Sequence, residues 1–231
     1  AAVTQQSNNN TITLKDKTKP VINPIATTAF SWGAVLNATE DNTVGTVDVT
    51  TSGAENGQTL TITLNSQTYQ ANISNNAARV SIPAARLQAL SHGQSYTLTA
   101  NVSDSAGNAA DTVTSAPFTV DKTNPGISSI TVISNNNTTT LAKEGNDITF
   151  KVGFSEAVTL SNASNVKLPF KIGNTSKEAV AQSTTTATIG GTANAINFKY
   201  TVESSLTGDV TLVAGGLTLD SNATVQDAAG N

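Results

Sequence analysis

Apolar and polar residues alternate along most of this chain, which is the signature of β-strands with one face buried. In the first half the alternating runs are TVGTVDVTTSG (43–53), TLTITLNSQ (59–67), TYQANIS (68–74), ARVSIPA (78–84) and QSYTLTANVSD (94–104). Clusters of Gly, Asn and Ser separate them, as turns require. Only AARLQALSHG (84–93) reads as a helix, short and closed by Gly93. With an early strand near Val21–Thr27 and a last one near Val113–Val120, this half predicts seven strands in the order A, B, C, C′, E, F, G. The second half repeats the scheme with ISSITVIS (127–134), DITFKVGFSEAV (147–158), VKLPFKIG (166–173), EAVAQSTTTATI (178–189), AINFKYTVE (195–203) and GDVTLVAGG (208–216).

Internal repeats divide the pattern. LKDKTKP (14–20) returns as TVDKTNP (119–125), an offset of 121 − 16 = 105 between Asp16 and Asp121. That period suits one immunoglobulin-like domain and is too long for a solenoid repeat. Proline in each copy restricts the residue before it and cannot join a ladder, so Asp121–Pro125 is expected to be a linker. A second phrase also repeats, DSAGN (104–108) and DAAGN (227–231). After the first copy comes AADTVTSAPFTVD, the expected G strand. The residues Ala1–Leu14 read as what should follow such a turn. The expectation is therefore residues 1–15 as a strand of a preceding or neighbouring domain, 16–120 as the first domain, and 121–231 as a second that lacks its last strand.

The length of 231 residues fits two domains. Aromatics at 4% and charged residues at 12% describe a small-residue β protein rather than a helical bundle. A net charge of −4 without a basic cluster argues against nucleic acid. No Cys is present, which excludes disulfides and thiol catalysis and suits an extracellular protein. No apolar run reaches membrane-spanning length, and AAVTQQSNNN is not a signal pattern.

These phrases together, LNATED, TLTITLNSQTYQANI, VSIPAARLQAL, QSYTLTANVSDSAGNAA and FTVDKTNP, resemble the bacterial Ig-like repeats of giant, type I-secreted, calcium-binding adhesins and biofilm-associated surface proteins. The second half, with GNDITFKVGFSEAV, INFKYTV and VQDAAGN, resembles a sister repeat. The resemblance covers nearly the whole chain. It implies an all-β fold of two tandem Ig-like Greek-key sandwiches joined by a short Asp/Pro linker, a place on the bacterial cell surface, and calcium between domains.

Ig topology gives the repeated turn a position. DSAGN becomes the FG loop of the first domain, facing the linker at Asp16, and LNATED (36–41) becomes its AB loop, facing Asp121. Asp227 and Asn231, with Glu156 of the BC loop, come to the leading end of the second domain. Glu40, Asp41, Asp121, Glu156, Asp227 and Asn231 are thus candidate ligands of a first cation, and Asp16, Glu55, Asp104 and Asn108 of a second. Glu144 and Asp147 would serve a joint beyond. A hard cation such as Ca²⁺ takes six to eight oxygens of just these types. Asp-x-Ala-Gly-Asn is equally good turn chemistry without metal.

Catalysis finds little support. His92 is the only histidine, next to Gly93 at the end of the short helix, and no HExxH, GxSxG or phosphate-loop pattern occurs. IGGTAN (189–194) reads as a hairpin turn. Lys151 and Lys199 are the lysines placed on strands where an isopeptide cross-link would need one, with no catalytic acid singled out. The reading is a structural stalk segment of an adhesin, stiffened by calcium and partnered by neighbouring Ig-like domains. The alternatives are a module gripping a host glycan or protein, and a fibre subunit that donates its Ala1–Leu14 strand to another copy.

Overall fold

Two hydrophobic cores organise the chain. The computed structural model describes residues 16–182, 188–189 and 193–231; the expected strand at Ala1–Leu14, the middle of EAVAQSTTTATI and residues 190–192 of IGGTAN lie outside the described residues. The chain divides into two compact units, one running to Val120 except for Asn37–Thr39, the other comprising Asn37–Thr39 and Asp121–Asn231. Among the described residues no helix is long and apolar enough to cross a membrane.

The first unit contains β1 (Val21–Ile22), β2 (Val35–Leu36), β3 (Gly45–Ser52), β4 (Thr59–Leu64), β5 (Gln67–Asn72), β6 (Ala77–Ile82), α1 (Ala84–Gln88), β7 (Ser95–Tyr96), β8 (Leu98–Asn101), β9 (Val113–Thr114) and β10 (Phe118–Val120). They form three sheets, in the orders β1-β3-β6, β2-β10-β7 and β5-β4-β8-β9. The alternation seen in the sequence is the alternation of burial: in β3, Val47 and Val49 are buried while Asp48 and Thr50 face solvent. Asn65 and Ser66 both take positive φ in the two-residue β4–β5 turn, the geometry that suits the twist of a tight hairpin. Strand β10 closes the unit by pairing parallel with β2 and antiparallel with β7. It carries Phe118 into a ring cluster with Phe30 and Trp32, whose rings stack at 5.2 Å.

The second unit contains β11 (Ile127–Ser134), β12 (Asp147–Phe154), β13 (Thr159–Ser161), β14 (Val166–Ile172), β15 (Thr175–Ala181), β16 (Thr188–Ile189), β17 (Ala193–Thr201), β18 (Val210–Leu212), β19 (Thr218–Leu219) and β20 (Thr224–Gln226). Its main sheet runs β11-β12-β17-β15-β14-β18, and β13 pairs with β20. Strands β12 and β14 are three intervals apart in that sheet, about 14 Å if it were flat. Yet the rings of Phe150 on β12 and Phe170 on β14 lie 4.7 Å apart. The sheet therefore folds over its own core. The fold occurs where β15 meets β17, which among the described residues pair at Val180↔Lys199 and Ala181↔Phe198.

Gly45 explains one constraint of the first core. A Cβ there would lie 2.7 Å from the Trp32 ring and 2.8 Å from Leu87 Cδ1, both in a packed interior. Gly45→Ala is expected to destabilise the unit by about 1–3 kcal/mol through overpacking. Phe118→Ala, which empties the ring cluster, is expected to cost about 3–5 kcal/mol. Since Trp32 is the only tryptophan, denaturant unfolding followed by its fluorescence reads both variants directly.

Candidate functional site

Each linker begins with an aspartate that folds it locally. Asp16 Oδ1 accepts a hydrogen bond from Thr18 N at 2.8 Å, and Asp121 Oδ1 accepts one from Thr123 N at 3.1 Å. These are Asx turns, the means by which a short carboxylate fixes the chain two residues on. The DKT phrase thus repeats because the same bend repeats.

The two AGN turns then hold these linkers. In the first unit, Asp104 Oδ1 accepts from Asn108 N at 2.7 Å and Asp104 Oδ2 accepts from Asn108 Nδ2, also at 2.7 Å. The same Nδ2 reaches the linker carbonyls of Asp16 at 3.2 Å and Thr18 at 3.4 Å. In the second unit, Asp227 Oδ1 accepts from Ala229 N at 2.8 Å and Asn231 N at 2.9 Å, and its Oδ2 accepts from Asn231 Nδ2 at 3.0 Å. Asn231 Nδ2 also donates to the carbonyl of Asp121 at 3.1 Å. One amide nitrogen in each unit therefore links the turn's carboxylate to the linker's backbone. Gly107 and Gly230 sit at φ of +89° and +87°, which a side chain would strain.

Around this shared frame the two sites differ. In the second unit the carboxylates of Asp121, Glu156 and Asp227 each place an oxygen within 4.8 Å of the other two, and Asp227 is buried. Ser155, next to Glu156, ties the loop to the linker: its N donates to the Gly126 carbonyl at 2.8 Å and its Oγ accepts from Gly126 N at 2.9 Å. Asn37 and Ala38 complete the frame. Asn37 Nδ2 donates to the Ala229 carbonyl at 2.9 Å, and Ala38 N donates to Asn231 Oδ1 at 2.7 Å.

In the first unit the arrangement is less acidic. Asp16 contributes its backbone carbonyl to the Asn108 amide, and its carboxylate accepts from Thr18 N. Glu55 binds the N–H and hydroxyl of Ser105, which hold its carboxyl below the ordinary range, the hydroxyl most strongly. Asp104 is buried and its carboxyl also lies below the ordinary range. The Asn108 amide lowers it most; burial opposes this, and the backbone N–H groups of the turn assist.

The sequence-predicted residues divide accordingly. Asp121, Glu156, Asp227 and Asn231 come together in the second unit, and Asp104 and Asn108 meet the backbone of Asp16 in the first. Glu40 and Asp41 lie on a 3₁₀ turn (Glu40–Asn42) of the first unit, with Asp41 buried. Asp147 is not a loop acid: it opens β12 and is held by Lys199 Nζ at 2.8 Å and Thr201 Oγ1 at 2.7 Å. That ion pair also occupies Lys199, one of the lysines considered for cross-linking. Sequence reasoning missed Asn37 and Ala38. The signal was present in LNATED, where the asparagine before the acids offers a carboxamide that can serve a turn.

The depressed carboxyl of Asp104 gives a testable sign. Its stabilisation is complete above its ordinary value near pH 4 and is lost as the pH falls through its lower folded value. Asp104→Asn is expected to lower the thermal midpoint at pH 7. The gap to the parent chain should narrow as the pH falls through that lowered value and the parent's own carboxyl takes up its proton, as melts followed by Trp32 fluorescence can measure.

No protein-family model and no curated protein matches this chain. Solved structures do. A Ca²⁺-stabilized adhesin that helps an Antarctic bacterium reach out and bind ice aligns at 18% identity and TM-score 0.44 over 89% of this chain and 49% of that one. A 1.5-MDa bacterial ice-binding adhesin, in a structure concerned with host cell surface retention, aligns at 17% identity and TM-score 0.50 over 84% and 66%. A bacterial immunoglobulin-like domain from the M. primoryensis ice-binding adhesin aligns at 26% identity and TM-score 0.32 over 44% and 95%. The chain thus spans about half of the first structure and about two thirds of the second. Taken with the sheets and cores described above, the likeness at TM-score 0.50 shows the fold alone: the chain is all-β and built of sandwich-like sheets.

Proposed function

We propose that this chain is a stalk segment of a bacterial cell-surface adhesin, with Ca²⁺ stiffening the linkers that lead into its Ig-like units. The observation that carries the proposal is the convergence of Asp121, Glu156 and Asp227 on a linker that Asn231 already grips. Three carboxylates with oxygens within 4.8 Å of one another repel, and one of them, Asp227, is buried. A divalent cation relieves that repulsion and adds bonds between linker, BC loop and FG turn. The donors are all hard oxygens, which favours Ca²⁺ over metals that prefer nitrogen or sulfur. Asp121, Glu156, Asp227 and the Asn231 side chain are the residues that would hold it. The first unit offers a weaker set in Asp104, Asn108 and the Asp16 carbonyl.

A module of this kind has reach and stiffness as its task, with adhesion or biofilm formation as the purpose of the whole protein. Its partners are neighbouring Ig-like domains of the same protein, and its location is the extracellular face of the cell, reached by type I secretion. The reading is structural and not enzymatic.

Calorimetric titration with CaCl₂ tests it. Saturable binding is expected, with a rise in the second unit's thermal midpoint equivalent to about 2.7 kcal/mol at a hundredfold excess over the dissociation constant. Asp227→Ala or Glu156→Gln should weaken binding at least tenfold. A chain that takes up no Ca²⁺ at millimolar concentration, or whose variants bind as the parent does, would refute the proposal.

A further inference from the structure

The chain enters the first unit through the linker that begins at Asp16 and leaves it through Val120 into Asp121. Tension along the chain is therefore applied to the start of β1 and to the end of β10. How a strand pair answers tension depends on its direction. When neighbouring strands are antiparallel, the two pulled ends lie side by side and the ladder opens one bond at a time. When they are parallel, a pull on the N-terminal end of one and the C-terminal end of the other runs along the ladder in opposite senses, and all its bonds are loaded together. Among the described residues β2 and β10 are the one parallel pair, with Val35 opposite Thr119 and Leu36 opposite Val120. The other pairings are antiparallel.

Successive ties reinforce this pair along residues 25–36 and 116–120. Ala116 N donates to the Ile25 carbonyl at 2.8 Å, and Thr119 N donates to the Ala34 carbonyl at 3.0 Å. Between these two bonds the Phe118 ring meets Phe30 and Trp32 edge-on, with centroids 5.5 and 5.3 Å away. Leu36 is fully buried, and Phe118 and Val120 are 1% exposed. Water, which would otherwise replace a loaded bond with its own, is kept from the ladder. Ahead of the patch stands β1, tied to β3 at Val21↔Ser52 and Ile22↔Thr51. When β1 gives way, the load passes to residues 25–36.

We propose that the patch formed by residues 25–36 and 116–120 is a mechanical clamp, through which the first unit bears tension along the chain in shear. Its strength is directional. A parallel ladder is slightly less stable per residue than an antiparallel one at equilibrium. What the clamp contributes is a barrier to pulling, because forced unfolding follows the rate of crossing that barrier and not the equilibrium free energy. The clamp gives β10 a second task besides closing the core: it is the strand on which the load leaves the unit. The inference rests on the reading of the chain as a stalk segment, since a chain held at both ends is one that carries load.

Single-molecule pulling of the full chain in two directions tests this. The sequence has no cysteine, so pairs of introduced cysteines choose where the force is applied. Lys17→Cys with Asn124→Cys loads the clamp in shear. Thr59→Cys with Asn72→Cys pulls apart two residues that face each other across the antiparallel β4–β5 hairpin, and so unzips it. All four positions are exposed. The first direction is expected to need at least twice the force of the second. Thr119→Pro removes the N–H given to Ala34, while its outward side chain leaves the core untouched. It should at least halve the force in the first direction and leave the second unchanged. The comparison of directions needs no change in the clamp, so it stands even if Thr119→Pro fails to fold. Both measurements are made in chelator, so that a failed calcium titration of the second unit leaves them intact. Equal forces in the two directions, or a folded Thr119→Pro chain that resists as the parent does, would overturn the proposal.

Discussion

The structure depends on an aspartate and an asparagine four residues apart that share one side-chain amide with a linker carbonyl. Asp104 with Asn108, and Asp227 with Asn231, close the Asp-x-Ala-Gly-Asn turn, and the same amide nitrogens hold Asp16 and Asp121 by their backbones. Each bond is worth only about 0.5–1.5 kcal/mol, somewhat more where the acceptor is charged. Their effect comes from placement. A linker whose first carbonyl is fixed, and whose aspartate bends it at the second residue, enters the following strand in one direction.

The same geometry brings acids together. In the second unit the linker's Asp121, the loop's Glu156 and the turn's Asp227 approach because three separate stretches of chain meet at one end of the sandwich. In the first unit the corresponding place holds one buried carboxylate, with Glu55 drawn off to Ser105. The two turns are therefore alike in their hydrogen bonds and unlike in their charge. The cation site is therefore proposed for the second copy, where the three carboxylates meet.

Much of this was legible in the sequence. The alternation in TVGTVDVTTSG and DITFKVGFSEAV marked strands whose buried faces are the observed ones, and Ig topology placed Glu156 beside Asp227 and Asp121. The short strands β13, β19 and β20 were not legible, since two or three residues carry no period. The order of the main sheet in the second unit was also hidden: among the described residues β15 joins β17 at Val180↔Lys199 and Ala181↔Phe198, a pairing that no local pattern marks. Ala38 escaped because its bond to Asn231 uses a backbone N–H, which every residue but proline possesses.

The central claim is that the turn and its carboxylates hold the linker, and that a cation tightens the hold. Amide hydrogen exchange measured by NMR across Asp121–Gly126, with and without Ca²⁺, tests it most directly. The account predicts that exchange at Thr123 and Gly126 slows when Ca²⁺ is added, and that Asn231→Ala speeds it in either condition. Exchange at these amides that is indifferent to both calcium and Asn231 would contradict the account.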